Sequence, residues 1–257
     1  MRKKIAAGNW KMNTTLDEGI LLISDLMKGL EQNPPKQKVD AMDIVLAPPF
    51  LTLAAAVDHV KFNPQVHIAA QNCSHKEKGA YTGEISVDMI KSVGAEYVII
   101  GHSERREYFK EDAAMLATKV DLALSRELVP IFCCGEPLEV RQSEGHFKLI
   151  KEQISESLFH LDEEAIKKIV IAYEPVWAIG TGVTATPEQA QEMHAFIRGL
   201  LAKHYGDAVA QQIPILYGGS VNAKNAVELF ANKDVDGGLV GGASLKADDF
   251  LAIIRSF

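Results

Sequence analysis

The chain is short of several things, and each shortage excludes a class of protein. Three cysteines, Cys73, Cys133 and Cys134, among 257 residues cannot make a disulfide scaffold, and an odd number of thiols points to a reduced, cytosolic protein. There is no Cys-x-x-Cys, adjacent Cys133 and Cys134 do not form a usual zinc pair, and neither HExxH nor a carboxylate cluster at metal spacing occurs. The sequence therefore implies no metal. No apolar run reaches the ~18 residues a membrane helix needs. The start, Met1-Arg2-Lys3-Lys4-Ile5-Ala6-Ala7-Gly8, is basic, but its apolar stretch breaks off too soon for a signal peptide. The sequons at Asn13 and Asn72 then read as coincidence. Basic clusters are lacking too. With a net charge of −7, nucleic acid is not an expected partner, and an anionic ligand would have to be drawn in by local geometry against the overall field.

What is present is a regular alternation. Short apolar runs recur at Ile5 to Gly8, Ile44 to Ala47, Val66 to Ala70, Tyr97 to Gly101, Val129 to Cys133, Ile169 to Tyr173, Ile213 to Tyr217 and Gly238 to Gly241. Near-continuous apolar character suits parallel strands covered on both faces. Between them the period becomes helical, as in Leu16, Ile20, Ile23, Met27, Leu30 and again in Ala190, Met193, Ile197, Leu200. Thr15-Leu16-Asp17-Glu18 and Thr186-Pro187-Glu188-Gln189 read as capping boxes, and Gly94 and Gly206 as helix ends. Eight strand-then-helix units predict one (β/α)8 barrel domain over residues 1–257, with a doubly wound open sheet as the rival.

In a barrel, chemistry collects at the carboxyl ends of the strands. Those ends carry Asn9-Trp10-Lys11, Gln71-Asn72, His102 with Ser103-Glu104-Arg105-Arg106, Glu174-Pro175, Tyr217-Gly218-Gly219-Ser220 and Gly241-Gly242-Ala243-Ser244. The last two turns read as a phosphate site, because glycine lets backbone N–H groups approach an anion and a following helix would point its positive end there. Gly180-Thr181-Gly182-Val183 is not a dinucleotide fingerprint, since Pro175 to Ile179 separate it from its strand. It reads as a mobile lid, on which an exposed Trp177 and Ile179 would be awkward for an ordinary surface loop. Glu174 is either a salt-bridge partner or a general base whose basicity rises when a lid desolvates it. His102 is either structural or a neutral hydrogen-bond donor, kept uncharged by a helix end capped by Ser103. Lys11 is the nearest cation to the first strand, and Glu104 could orient Lys11 or His102. Cys133 reads as packing and Glu136 as a weak candidate for a second acid.

Together these motifs resemble the triosephosphate isomerase family from end to end: Gly8-Asn9-Trp10-Lys11-Met12-Asn13, Gly101-His102-Ser103-Glu104-Arg105-Arg106, Ala172-Tyr173-Glu174-Pro175-Val176-Trp177, Tyr217-Gly218-Gly219-Ser220-Val221 and Leu239-Val240-Gly241-Gly242-Ala243-Ser244, in order. The resemblance implies Glu174 as base, His102 and Lys11 as oxyanion stabilisers with Asn9 assisting, and phosphate held by Gly180, Ser220, Gly241 and Gly242. Glu104 and Tyr217 would support them. It implies interconversion of dihydroxyacetone phosphate and glyceraldehyde 3-phosphate with no cofactor, and a homodimer in which the stretch Gln71 to Glu84, with Thr82 near its tip, inserts into the partner. Two departures from the family pattern stand out. Val183 replaces a common lysine in the lid, and Gly238 replaces a larger residue in the last strand, which could loosen it. A barrel aldolase using Lys11 as a Schiff base and a catalytically silent binding barrel are the alternatives. The silent barrel would need neither His102 nor Glu174.

Overall fold

A computed structural model describes residues 2–38, 41–179 and 184–257. Eight strands, β1 Lys4–Asn9, β2 Met42–Ala47, β3 Val66–Ala70, β4 Tyr97–Ile100, β5 Val129–Glu136, β6 Val170–Pro175, β7 Ile215–Tyr217 and β8 Gly237–Val240, close into a barrel in sequence order. Every pairing is parallel, and β1 completes the ring against β8. This is the (β/α)8 barrel; the open sheet is excluded by the closure.

The two faces of each strand bury different things. Alternate residues, among them Ile5, Ala7, Val45, Ala47, Ala69, Ile99, Ile131, Cys133, Ala172, Leu216 and Leu239, form one apolar cluster inside the barrel. The residues between them, such as Ala6, Ile44, Ile68, Phe132, Ile171 and Ile215, join a second cluster with the helices. A strand apolar on both faces cannot show period-two alternation in its sequence, which is why the runs read as continuous.

Helix starts follow the expected chemistry. Thr15 and Glu18 form a reciprocal capping box at the helix Leu16–Gln32, and Thr186 and Gln189 form one at the helix Pro187–Tyr205. Gly94 and Gly206 take φ of +88° and +85° at their helix ends, where a side chain would be strained.

Three strand ends differ from the apolar runs. β5 and β6 run on to Glu136 and Pro175 because their pairing continues through Gly135↔Glu174 and Glu136↔Pro175. β7 starts only at Ile215, since Pro214 has no N–H to donate to a ladder. β8 starts at Gly237 rather than Gly238. At Gly238 the room left by the missing side chain is taken by Phe230, whose ring would lie 3.0 Å from an added Cβ and stacks on Phe257. That strand is therefore packed at this point, although β7 and β8 share a single register pair, Tyr217↔Gly238.

Gly237 is the most constrained glycine in the ring. It has φ +145°, and a Cβ there would sit 1.9 Å from the Ile5 carbonyl oxygen, an atom of backbone that cannot rotate away. Gly237→Ala should cost about 3 kcal/mol or more, read as a lower denaturant midpoint. An unchanged midpoint would contradict the tight β1–β8 closure.

Candidate active site

Closure brings six strand ends to one rim. Asn9, Lys11, His102, Glu174, Ser220, Gly241 and Gly242 line a single cavity of about 560 Å3. These are seven of the residues singled out at the strand ends. Asn222, Leu239 and Ile179 also face it, and none of these three is marked by residue type in the sequence. Gly180 and Val183 lie outside the described residues.

Lys11 is fixed from three sides. Its backbone has φ +54°, an unfavourable conformation for a residue with a side chain. Its N–H donates to Asn9 Oδ1 at 3.0 Å, and its carbonyl accepts from Gln71 Nε2 at 2.8 Å. The same Gln71 amide also binds the Ala47 carbonyl at 2.8 Å. The Lys11 ammonium pairs with Glu104 at 2.7 Å. Glu104 thus orients Lys11, and it also faces His102 Nδ1 at 3.5 Å. Gln71 was visible in the sequence only as a polar strand end; its grip on Lys11 joins residues 60 apart.

His102, rather than Ser103, caps the helix Ser103–Phe109. Its Nδ1 accepts the Glu104 N–H at 3.2 Å, so Nδ1 carries no proton in this bond and Nε2 is the donor. Nε2 lies 2.9 Å from Glu174 Oε1. Burial works against an imidazolium, but the adjacent Glu174 carboxylate, with Glu104 behind it, outweighs burial and lifts the ring above the ordinary imidazole pKa. The helix end is therefore only one side of the balance.

Glu174 is 1% exposed. Burial alone would push its carboxyl up. The His102 ring, the Ser103 N–H and Lys11 outweigh burial and hold it below the usual carboxylate range. Its Oε2 accepts the Ser103 N–H at 2.9 Å. Desolvation by a lid is thus not needed to bury this group; its basicity rises only when it leaves these partners.

The glycine turns differ in detail. A Cβ at Gly242 would meet nothing within 4 Å, and at Gly241 only the Lys11 stem at 3.8 Å, so this backbone is open towards the cavity and close to the ammonium. After β8 the chain forms a 3-10 turn, Gly242–Leu245, before the helix Ala247–Ile254. After β7 no helix begins at Ser220; the next is Ala226–Phe230. The open backbone, more than a helix end, marks the anion position here. Tyr217 does not line the cavity. Fully buried, it supports the turn from beneath, and its ring forbids a side chain at Gly219, where a Cβ would come within 2.3 Å of the hydroxyl oxygen.

A family model described as triosephosphate isomerase matches residues 4–257. The triosephosphate isomerase of Cytophaga hutchinsonii is 56% identical over 258 residues, all of both chains. Those of Porphyromonas gingivalis and Flavobacterium psychrophilum are 54% and 53% identical, covering 100% and 99% of each chain. The chain belongs to the triosephosphate isomerase family.

Other candidates take structural places in this triosephosphate isomerase barrel. Cys133 is buried inside it, and burial pushes its thiol well above the ordinary value, which removes it as a nucleophile. Glu136, weighed as a second acid, accepts from Tyr173 Oη and Trp177 Nε1, both at 2.9 Å. Trp177 is accordingly half-buried in the 3-10 turn Val176–Ala178, not exposed. No spacing rule links residues 41 apart, so this anchor was not legible beforehand.

Glu174 is the largest upward influence on His102. In Glu174→Gln the His102 pKa should fall relative to the parent, read by 15N NMR titration of the imidazole. An unmoved pKa would contradict the pairing.

Proposed function

We propose that Glu174 is the base of this isomerase, with His102, Lys11 and Asn9 acting on the substrate oxygens and Ser220, Gly241, Gly242 and Gly180 holding phosphate. The reaction is that of the family, interconversion of dihydroxyacetone phosphate and D-glyceraldehyde 3-phosphate in glycolysis. The observation that carries the residue roles is the 2.9 Å approach of Glu174 Oε1 to His102 Nε2 in a cavity whose other wall holds Lys11 and the open glycine backbone.

The steps follow from what each group can do. Substrate oxygens replace Glu174 as the acceptor for His102 Nε2–H. Glu174, released from its donors but still buried, becomes more basic and takes a proton from the hydroxyl-bearing carbon next to the carbonyl. Negative charge then develops on the carbonyl oxygen. It is met by His102 Nε2–H and the Lys11 ammonium, both already oriented by Glu104, so little reorganisation is needed. The proton returns from Glu174 to the neighbouring carbon, and a proton shifts between the two oxygens. With Glu174 turned away, burial and the Lys11 charge favour the neutral ring at His102, a suitable hydrogen-bond donor to an enediolate. Closure of the 176–186 loop would exclude water and so suppress phosphate loss from the enediolate.

The Schiff-base alternative fits less well, because the Lys11 ammonium is engaged by Glu104 at 2.7 Å. A silent binding barrel would give no reason for a buried carboxylate on an imidazole inside the cavity. A homodimer suits the rest of the surface. Met12, next to Lys11, is 97% exposed, and Leu51 and Tyr81 are exposed as well. Residues 76–84 carry no helix or strand and are all exposed. Insertion of this loop, with Thr82, into a second copy would cover such apolar groups and buttress the Asn9–Lys11 turn. We place the protein in the cytoplasm, in keeping with its three free thiols and with the absence, among the described residues, of a helix long and apolar enough to cross a membrane.

Glu174→Asp withdraws the carboxylate by one methylene, and misplacement near 1 Å costs on the order of 100-fold. kcat should fall by about that factor with the fold intact; near-normal turnover would remove Glu174 as the base. Ser220→Asp puts a negative charge where phosphate is expected. It should raise KM and weaken inhibition by inorganic phosphate far more than Ser220→Ala does. Undiminished phosphate inhibition in Ser220→Asp would show that the anion binds elsewhere.

A further inference from the structure

Arg141 lies on the short helix Leu138–Gln142 after β5 and does not line the cavity. Its guanidinium nonetheless touches three groups around the loop that follows Glu174. The Cζ atom lies 6.0 Å from the centre of the Trp177 ring, Nη1 lies 3.8 Å from Glu136 Oε1, and Nη2 donates to Glu192 Oε2 at 3.1 Å. The side chain is only 16% exposed.

These contacts sit at opposite ends of one segment. Trp177 belongs to the first turn of the loop, and Glu192 is on the helix Pro187–Tyr205 into which the loop runs. That helix begins at the Thr186–Gln189 capping box with Pro187 in its first turn, so Glu192 moves with the second end of the loop. Two further atoms point the same way. Arg141 Nη1 and Glu136 Oε2 are both buried without a hydrogen-bond partner. They belong to side chains already in contact, and a small shift would let each satisfy the other. Leaving either unmet is costly.

We propose that Arg141 is a positioning residue for the isomerisation: it brackets the two ends of the 176–186 loop, through Trp177 and Glu192, and takes over Glu136 when Trp177 moves with the loop. A guanidinium suits this role and an ammonium does not. Its plane can lie over the indole while its separate N–H groups serve two carboxylates at once. Glu136 would otherwise lose a donor at each movement of Trp177 while remaining buried. Held ends let a short loop swing between two arrangements without moving Glu174, the residue just before it. The role rests on the reading of this loop as the lid over the enediolate.

The test compares Arg141→Gln, Arg141→Lys, Glu192→Gln and the Arg141→Gln/Glu192→Gln pair, measuring kcat, KM, methylglyoxal formed per turnover and thermal midpoint. A variant with residues 179–183 deleted serves as the reference for a lost lid. Arg141→Gln should lower kcat on the order of ten-fold and raise the methylglyoxal fraction. Its KM should change less than kcat. Glu192→Gln should do the same more weakly, and the pair should be no worse than Arg141→Gln alone. Arg141→Lys, which keeps charge but not the plane, should recover only part of kcat. Should Arg141→Gln fold poorly, Glu192→Gln and Arg141→Lys carry the same comparison. An unchanged methylglyoxal fraction in these variants, with any rate loss tracking the thermal midpoint, would overturn the role. If the deletion itself produces no extra methylglyoxal, the lid reading fails. If the deletion does and the Arg141 and Glu192 variants do not, only the bracket fails.

Discussion

A carboxylate with almost no solvent cannot stand alone, and Glu174 sets the terms for everything around it. An unpaired buried charge costs several kcal/mol, so the fold must supply donors, and it does so from the next strand end but one. The His102 ring and the Ser103 N–H both reach Glu174, and His102 is itself held by the N–H of Glu104. The strands beside β6 make way for it. A Cβ at Gly135 of β5 would fall 1.9 Å from the Glu174 carbonyl oxygen, and one at Gly218 after β7 would fall 2.9 Å from its Cγ. The glycines that look like turn formers in the sequence are here the room that a strand-borne carboxylate needs. The arrangement stores the base in a paired, less basic state. Only a ligand that displaces the pair releases it.

The same constraint explains how a chain of net charge −7 can receive an anion. Attraction is local. Lys11 is pinned in an unfavourable backbone conformation by Asn9 and Gln71, and its ammonium is steered by Glu104. The open backbone at Gly241 and Gly242 lies beside the Lys11 stem. A single fixed cation and unobstructed N–H groups, in a cavity walled by low-dielectric side chains, act over the few ångströms where the overall field matters least. Glu104 keeps the ammonium in place and leaves its charge within reach of the oxygens that His102 also addresses.

How much of this could be read from the sequence depended on the range of the interaction. The strands were legible because parallel strands buried on both faces leave continuous apolar runs, and the polar residues at their ends stood out against them. Thr15 and Thr186 announced their helices because a capping box spans only four residues. Longer-range facts were hidden. The continuation of β5 and β6 is fixed by the pairing of Gly135 with Glu174, and no property of Gly135 or Glu136 alone signals it. Ser103 looked the better cap by residue type, but the φ of −50° and ψ of 142° at His102 place the imidazole at the first free N–H groups. Glu136 looked idle because its donors, Tyr173 and Trp177, come from the following strand and loop. Gly238 looked like a weak point because Phe230, which fills it, lies on a different element.

The central claim is that this barrel moves protons between two carbons through Glu174. Glyceraldehyde 3-phosphate supplied in D2O without any cofactor, followed by proton NMR, tests it most directly. The account predicts conversion to dihydroxyacetone phosphate with solvent deuterium entering at the carbon that receives the proton, because a carboxylate shared between two carbons also exchanges with water. Absence of conversion, or conversion in which the carbon-bound hydrogen passes wholly without exchange as a direct hydride shift requires, would contradict it.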